Sequence, residues 1–297
     1  MSSLPQYVII TPARNEAEFI ELTIQSVISQ TVLPKQWVIV SDGSTDATDE
    51  IVAKYAAQYE WIKLLRAPER QERHFAGKVH AFNAGLQLVR AMDYQAIASL
   101  DADLSFGPGY FELLLEKLSA DSRLGLVGTP FRDRGSNEMY DYSFVNIEHV
   151  SGACQLFRRS CFEEIGGYEP VKGGGIDYIA VVKSRMKGWK TRTFTEQAAL
   201  HHRPIGTAQQ GLLKAKFKYG SKDYVLGNHP LWECSRVLYQ MTKKPYVMGG
   251  ASLGAGFISA WLRGLDRPVS NDFVIFQRHE QMQRLKRFFT RTAASVH

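Results

Sequence analysis

The chain has 297 residues, of which 44% are apolar, 22% charged and 11% aromatic; this excludes a disordered, collagen-like or disulfide-scaffold protein and allows one large domain or two joined lobes. The net charge of +6 is uneven, with +10 in residues 203–297 and −4 in residues 1–202, so the two parts face different partners. Cys154, Cys161 and Cys234 have no paired-ligand spacing and the residues after Met1 show no basic-then-apolar leader, so a cytoplasmic protein without disulfides or zinc is expected.

Tyr7-Val8-Ile9-Ile10-Thr11 is a β-branched run stopped by Pro12, and Ile20, Ile24, Val27 and Ile28 then recur at helical spacing. Trp37-Val38-Ile39-Val40 is a second strand, ended by Ser41-Asp42-Gly43-Ser44, and Ile51, Val52, Tyr55 and Tyr59 mark a second helix. A strand near 61–65, a helix with Val79, Phe82, Leu86 and Val89 on one face, and a strand near 95–100 continue the alternation. Strands without period-two polarity, separated by helices, predict an α/β fold with a mostly parallel, Rossmann-like sheet covered on both faces.

Ligands bind such sheets outside the carboxyl ends of the strands. Those positions read Pro12-Ala13-Arg14-Asn15-Glu16, Ser41 to Asp46, and Asp101-Ala102-Asp103. Asp101 and Asp103 directly follow the run Ala96–Leu100, so they can approach one hard cation, Mg²⁺ or Mn²⁺, whose remaining positions a substrate diphosphate fills. Alone, this triplet is also what an acidic turn or cap looks like. Asp42 can accept from the ring N–H of a base such as uracil, or belong to a turn that caps the next helix. Lys78, beside Gly77 at a helix start, is placed to meet phosphate.

In this order the residues resemble the family 2 glycosyltransferases, inverting nucleotide-sugar enzymes with a GT-A fold. The resemblance covers about residues 6–205 and rests on Pro12–Glu16, Val40–Asp46, Gly77–Asn83, Asp101–Asp103, and Arg158-Arg159 followed by Glu164–Tyr168. It implies that Pro12, Ala13, Arg14 and Glu16 shape the nucleoside pocket, that Asp42 contacts the base, and that Asp101 and Asp103 hold ribose and metal. Ser41 stands where the family commonly has another Asp. Where the family often has Glu-Asp before a helix, Gly173-Gly174-Gly175 leads here to Ile176-Asp177. The family's general base is carried over to Asp177, the other reading being a cap on the helix bearing Ile179, Val182 and Met186. His201-His202-Arg203-Pro204 follows a strand expected over Thr191–Leu200; His201 or His202 can complete a metal shell or be structural, and Arg203 can bind diphosphate.

Beyond residue 205 a basic, helical extension is expected. Lys214, Lys216, Lys218 and Lys222 alternate with Leu213, Phe217, Tyr219 and Tyr224, and Pro245–Leu262 holds eighteen residues without a charge. Together they favour an anionic membrane surface over nucleic acid. For 245–262 an interfacial or re-entrant hairpin ranks ahead of a buried helix pair and of a true span. Gln281-Met282-Gln283-Arg284-Leu285 is similar to the Q-x-x-R-W motif of processive family members but lacks its Trp.

The expectation is therefore a GT-A domain over 1–205, with a nucleotide-sugar half at 1–130 and an acceptor half at 131–205, followed by the membrane-associating extension 206–297. Its donor is a UDP-sugar and its acceptor a lipid-linked saccharide or polyprenyl phosphate in surface polysaccharide assembly. It sits peripheral or monotopic at the inner face of the cell membrane, with homo-oligomers allowed. The rivals are a nucleotidyltransferase and a non-catalytic nucleotide-sugar binding subunit.

Overall fold

The protein is described here by a computed structural model for residues 4–68, 76–134, 147–171, 173–203 and 211–294. Pro204 and the expected 205/206 boundary lie outside these residues. The chain forms two compact units, Met1–Pro204 and Ile205–His297.

In the first unit β1 (Tyr7–Ala13), α1 (Ile20–Ile28), β2 (Gln36–Asp42), α2 (Thr48–Ala56), β3 (Ile62–Ala67), α3 (Ala76–Val89) and β4 (Ala96–Leu100) alternate as the apolar periodicity predicts. Then come β5 (Leu104–Ser105), α4 (Tyr110–Ala120), β6 (Leu124–Gly128), β7 (Phe131–Asp133), β8 (Cys154–Arg158), α5 (Arg159–Glu164), α6 (Ile176–Met186), β9 (Lys190–Thr193) and β10 (Ala199–His201). Seven strands form one sheet in the order β3-β2-β1-β4-β8-β6-β9, and β5-β10-β7 form a small second sheet. β8 runs antiparallel to β4 and β6, and the other neighbours in the large sheet are parallel.

Alternate residues of one strand enter opposite cores. Tyr7 and Ile9 of β1 and Trp37 and Ile39 of β2 pack on one face, Val8, Ile10, Val38 and Val40 on the other. Covering both faces removes the polar alternation, which is why these strands read as continuous apolar runs. The strand order reverses at β1, which pairs in parallel with both β2 and β4, so a crevice opens at the carboxyl ends of β1 and β4.

The strand expected over Thr191–Leu200 is instead two, β9 and β10, in different sheets. The polar stretch Thr195-Glu196-Gln197 divides them, with Glu196 paired to Lys117 at 2.7 Å. This break turns His201 toward the carboxyl end of the main sheet's β4 segment, where the short sheet pairs it with Leu104.

The second unit holds α7 (Leu212–Val225), α8 (Pro230–Met241), α9 (Met248–Leu262) and α10 (Asn271–Ala294). The hairpin expected for Pro245–Leu262 is replaced by one continuous helix, α9, because its glycines let it lie backbone to backbone on α7. A Cβ on Gly256 would stand 1.9 Å from the Phe217 carbonyl oxygen, and one on Gly220 1.8 Å from that of Leu253. Among the described residues no helix is long and apolar enough to cross a membrane.

Gln281 of the Q-x-x-R-like segment is buried and joins a polar cluster of this unit. The Asn228 side-chain oxygen accepts from Gln277 at 2.6 Å and from Gln281 at 2.8 Å, and the Asn228 amide donates to Glu233 at 3.2 Å. Arg236 lies 2.6 Å from Asp223 and 3.8 Å from Glu233. Burial, reinforced by the Asp223 charge, pushes the Glu233 carboxyl up to about 7. Folded Glu233 therefore keeps its proton across a range in which the unfolded chain loses it, so stability falls as pH rises from the ordinary value near ~4.3 toward that raised one. Thermal denaturation at about pH 5 and about pH 8 should show Glu233→Gln losing less stability over this range than the wild type. Equal losses would contradict the assignment.

Candidate active site

The site grows from the carboxyl ends of β1, β2 and β4. Pro12 and Ala13 end β1 in register with Val40 and Ser41 of β2, and Asp42, 8% exposed, is the last residue of β2. Arg14 and Glu16 follow on a loop where Asn15 adopts a left-handed φ of 55°, a conformation asparagine tolerates better than most residues.

The Asn15 side-chain oxygen accepts from the Thr45 amide at 2.8 Å, and the Asn15 amide donates to Ser44 Oγ at 3.2 Å. The Glu16 amide donates to Thr48 Oγ1 at 2.8 Å and the Ala17 amide to Asp46 at 3.1 Å. Ser44 to Thr48 thus sew the first loop to the second. Asp46 accepts from Thr48 and Ala17 as well, and these bonds outweigh its slight burial and hold its carboxyl below the usual range.

At the end of β4 the Asp101 amide donates to the Ala153 carbonyl at 2.9 Å. Lys78, in the first turn of α3, donates to the Asp101 carboxylate and, at 3.3 Å, to the Gly152 carbonyl. Its ammonium is thus already committed to a carboxylate where the sequence suggested phosphate alone. Burial raises the Asp101 carboxyl against the pull of Lys78; burial would lower Lys78, but Asp101 outweighs it, and Asp177 and Asp103 add to that.

Asp103 is 8% exposed. Its side chain lies 3.4 Å from His201 Nε2, and His201 Nδ1 lies 3.0 Å from Asp133. Burial alone would raise Asp103, but His201, Arg203 and Lys78 hold it below the usual carboxylate range. Burial would depress His201, and Asp103 and Asp133 instead hold it above the usual imidazole value. His202 Nε2 is 2.9 Å from Ser105 Oγ, and its other nitrogen is buried with no hydrogen-bond partner among the described residues. Burial, then Arg134, lowers His202. Arg203 pairs with Glu16 at 2.6 Å, and its guanidinium lies 5.8 Å from the Phe19 ring, which also stacks on His202. The 201–203 segment is thus tied to the loop after β1.

Asp177 is the second residue of α6, whose N-cap is Gly175 without a side-chain cap bond; the capping role therefore does not fall to Asp177. Its carboxylate sits in the first turn, where the helix dipole favours negative charge. Ile176, in place of a first carboxylate, is buried in the core with Ile165 and Tyr168.

Two residues of this site gave no signal in the sequence. Gly152 lies against Asp177: an added Cβ would stand 2.8 Å from its Cβ and 3.0 Å from Cγ and Oδ2. Gln155, fully buried on β8, donates to the Val150 carbonyl at 3.0 Å and approaches the Asp177 carbonyl at 3.4 Å, while Tyr168 OH donates to its oxygen at 2.7 Å. A lone glycine ahead of a strand and a glutamine inside it resemble many others; what marks them is the antiparallel return of β8 beside β4.

Among the described residues no group of three or more His, Cys, Asp or Glu is placed to hold a metal ion. Asp101 and Asp103 are two carboxylates at one strand end, the number taken by a cation that completes its shell from phosphate oxygens. The fold and the cluster of carboxylates with Lys and Arg at the switch point define a nucleotide-sugar glycosyltransferase domain of GT-A type.

Residues 8–145 match the family described as glycosyl transferase family 2. Over 255 residues it is 27% identical to the glycosyltransferase AglE of Haloferax volcanii, a match covering 80% of this chain and 77% of that protein. It is 25% identical over 173 residues to the poly-beta-1,6-N-acetyl-D-glucosamine synthase of Staphylococcus epidermidis, covering 52% of this chain and only 40% of that one. Among solved structures it resembles the mannosyltransferase PcManGT from Pyrobaculum calidifontis in complex with GDP-Man and Mn²⁺, with a TM-score of 0.59 and 19% identity over 98% of this chain and 84% of that one. S. aureus TarS 1-349 with UDP-GlcNAc gives 0.56 and 13% over 94% and 81%. At these identities the structural likeness speaks for the fold.

Gly152→Ala should displace Asp177 or the start of α6 and cost about 1–3 kcal/mol of stability, the usual penalty of overpacking. A crystal structure and a denaturation curve check this. An unmoved Asp177 with unchanged stability would contradict the close approach.

Proposed function

We propose that the protein is an inverting glycosyltransferase that moves one sugar from a UDP-sugar to an acceptor hydroxyl, with a lipid-linked saccharide or polyprenyl phosphate as acceptor in surface polysaccharide assembly. The observation that carries this reading is the convergence of Asp101 and Asp103 at the end of β4 with Asp177 at the start of α6, bridged by Lys78 and Gly152. PcManGT with GDP-Man and TarS with UDP-GlcNAc are neighbours that hold nucleotide sugars, which supports a donor of this class.

Asp177 accepts the acceptor's hydroxyl proton, and the oxygen attacks the anomeric carbon on the side opposite the diphosphate. The bond from that carbon to the diphosphate breaks, its electron pair leaves with the nucleotide, and the configuration inverts. Asp42 accepts from the base, Pro12, Ala13, Arg14 and Glu16 frame the nucleoside, and Lys78 and Arg203 bring positive charge toward the diphosphate. Asp103, with Asp101 and one of His201 and His202, would hold Mg²⁺ or Mn²⁺, which supplies charge neutralisation to the leaving diphosphate. PcManGT with Mn²⁺ supports this assignment.

The basic second unit and its exposed apolar side chains support a peripheral or monotopic place at a membrane. The burial of Ile176 in the core favours a second reading, a binding subunit without turnover.

Turnover of a labelled nucleotide sugar, with calorimetry of donor binding, separates the readings. Asp177→Asn should retain donor affinity and lower turnover by ~10²–10⁴-fold, whereas Asp103→Ala should abolish the Mn²⁺-dependent part of donor binding. Wild-type turnover in the first or unchanged metal dependence in the second would remove the assigned role. A wild type that binds donor and never transfers would favour the binding subunit.

A further inference from the structure

α9 has two faces, and among the described residues of its unit only one is packed. Gly250, Leu253, Gly256 and Ala260 are buried, and Gly250 and Gly256 meet the backbones of α8 and α7 so closely that a Cβ would overlap the Val237 and Phe217 carbonyl oxygens. Ser252 turns inward and donates to the Leu213 carbonyl at 2.7 Å. Met248, Ala251, Ala255, Ile258 and Leu262 recur every three or four residues and are exposed, with Leu262 at 73%, Trp261 beside it at 61% and Ile258 at 53%. Such spacing makes one continuous stripe along a helix. The helix carries no charge at all, unlike a helix that faces water.

The borders of this stripe are cationic. Exposed Lys243 and Lys244 precede α9, exposed Arg263 follows it, and Lys214 and Lys218 are exposed on α7, packed alongside. No Asp or Glu occurs in 211–222 or in 237–265. With about 1.5 Å of rise per residue, fifteen residues reach roughly 22 Å, short of the ~30 Å hydrocarbon core. A helix too short to span, apolar on its free side and rimmed by cations, suits the plane of an anionic bilayer surface, with a tryptophan at headgroup depth. A second copy of the chain suits it less, because a two-fold contact through this patch sets one basic rim against another.

We infer that α9 is an in-plane membrane anchor, its Met248–Leu262 stripe inserted among the acyl chains of an anionic leaflet while the lysines of α7 and Lys243, Lys244 and Arg263 engage the headgroups. This deepens the proposed function by naming the surface at which a lipid-linked acceptor is met, and it rests on that reading for the acceptor alone.

The test uses the full chain in flotation with phosphatidylcholine vesicles, with and without phosphatidylglycerol, and measures nucleotide-sugar binding in the same preparations. The wild type should float with phosphatidylglycerol vesicles and be released only in part by salt. Ile258→Glu with Leu262→Glu should float at least tenfold less while keeping its helical circular dichroism and its donor affinity, and Lys214→Ala with Lys218→Ala should bind more weakly and lose part of the salt dependence. Flotation of the glutamate variant equal to wild type overturns the anchor. So does a wild type that ignores vesicles but self-associates through this patch, the variant being monomeric. A wild type that floats and binds no nucleotide sugar leaves the anchor standing and refutes the glycosyltransfer reading.

Discussion

The site depends on a shared cation inside the cleft. Lys78 reaches from the first turn of α3 to the Asp101 carboxylate and to the Gly152 carbonyl, and so ties the end of β4 to the segment that leads into β8. Side chains of Lys78 and Asp101 are 36% and 28% exposed, enough shelter for the pair to be stronger than one on the open surface. Without it Asp101 would keep its charge beside Asp103 with less to offset the repulsion, and a carboxylate pair at the crevice would be harder to hold ionised together.

From this tether the rest of the geometry follows. Fixing Gly152 fixes the wall against which Asp177 lies, and Gln155, the second residue of β8, holds the same helix start through its buried amide. On the other side of the crevice, Asn15, Ser44, Asp46 and Thr48 join the loops after β1 and β2, and the Arg203–Glu16 pair closes the 201–203 segment onto them. Carboxylates, imidazoles and cations from five chain segments are held by one another before any substrate arrives, which is what preorganised electrostatics requires.

The fold was legible where burial on both faces leaves continuous apolar runs, as in Val8–Ile10, Trp37–Val40 and Ala96–Leu100, and where a strand ends on Asp101-Ala102-Asp103. The position of these carboxylates beside Asp177 could not be read, because it depends on the antiparallel return of β8, which local pattern does not encode. Asp133 against His201 is equally non-local, joining residues from two strands of the small sheet. For Pro245–Leu262, composition left helix, hairpin and span open; the choice came from glycine contacts with α7 that need a partner helix. Gln281, singled out for its motif, turned out to bind Asn228 and the His229 amide, a packing role that sequence cannot distinguish from a catalytic one.

The most direct test of this account is a double-mutant cycle on Lys78→Met and Asp101→Asn, measured by reversible denaturation of the full chain. If the pair tethers β4 to the start of β8, either single change leaves a sheltered charge without its partner, and the double variant is less destabilised than the sum of the two by about 1 kcal/mol or more. Additive losses, with no coupling between the two positions, would contradict it.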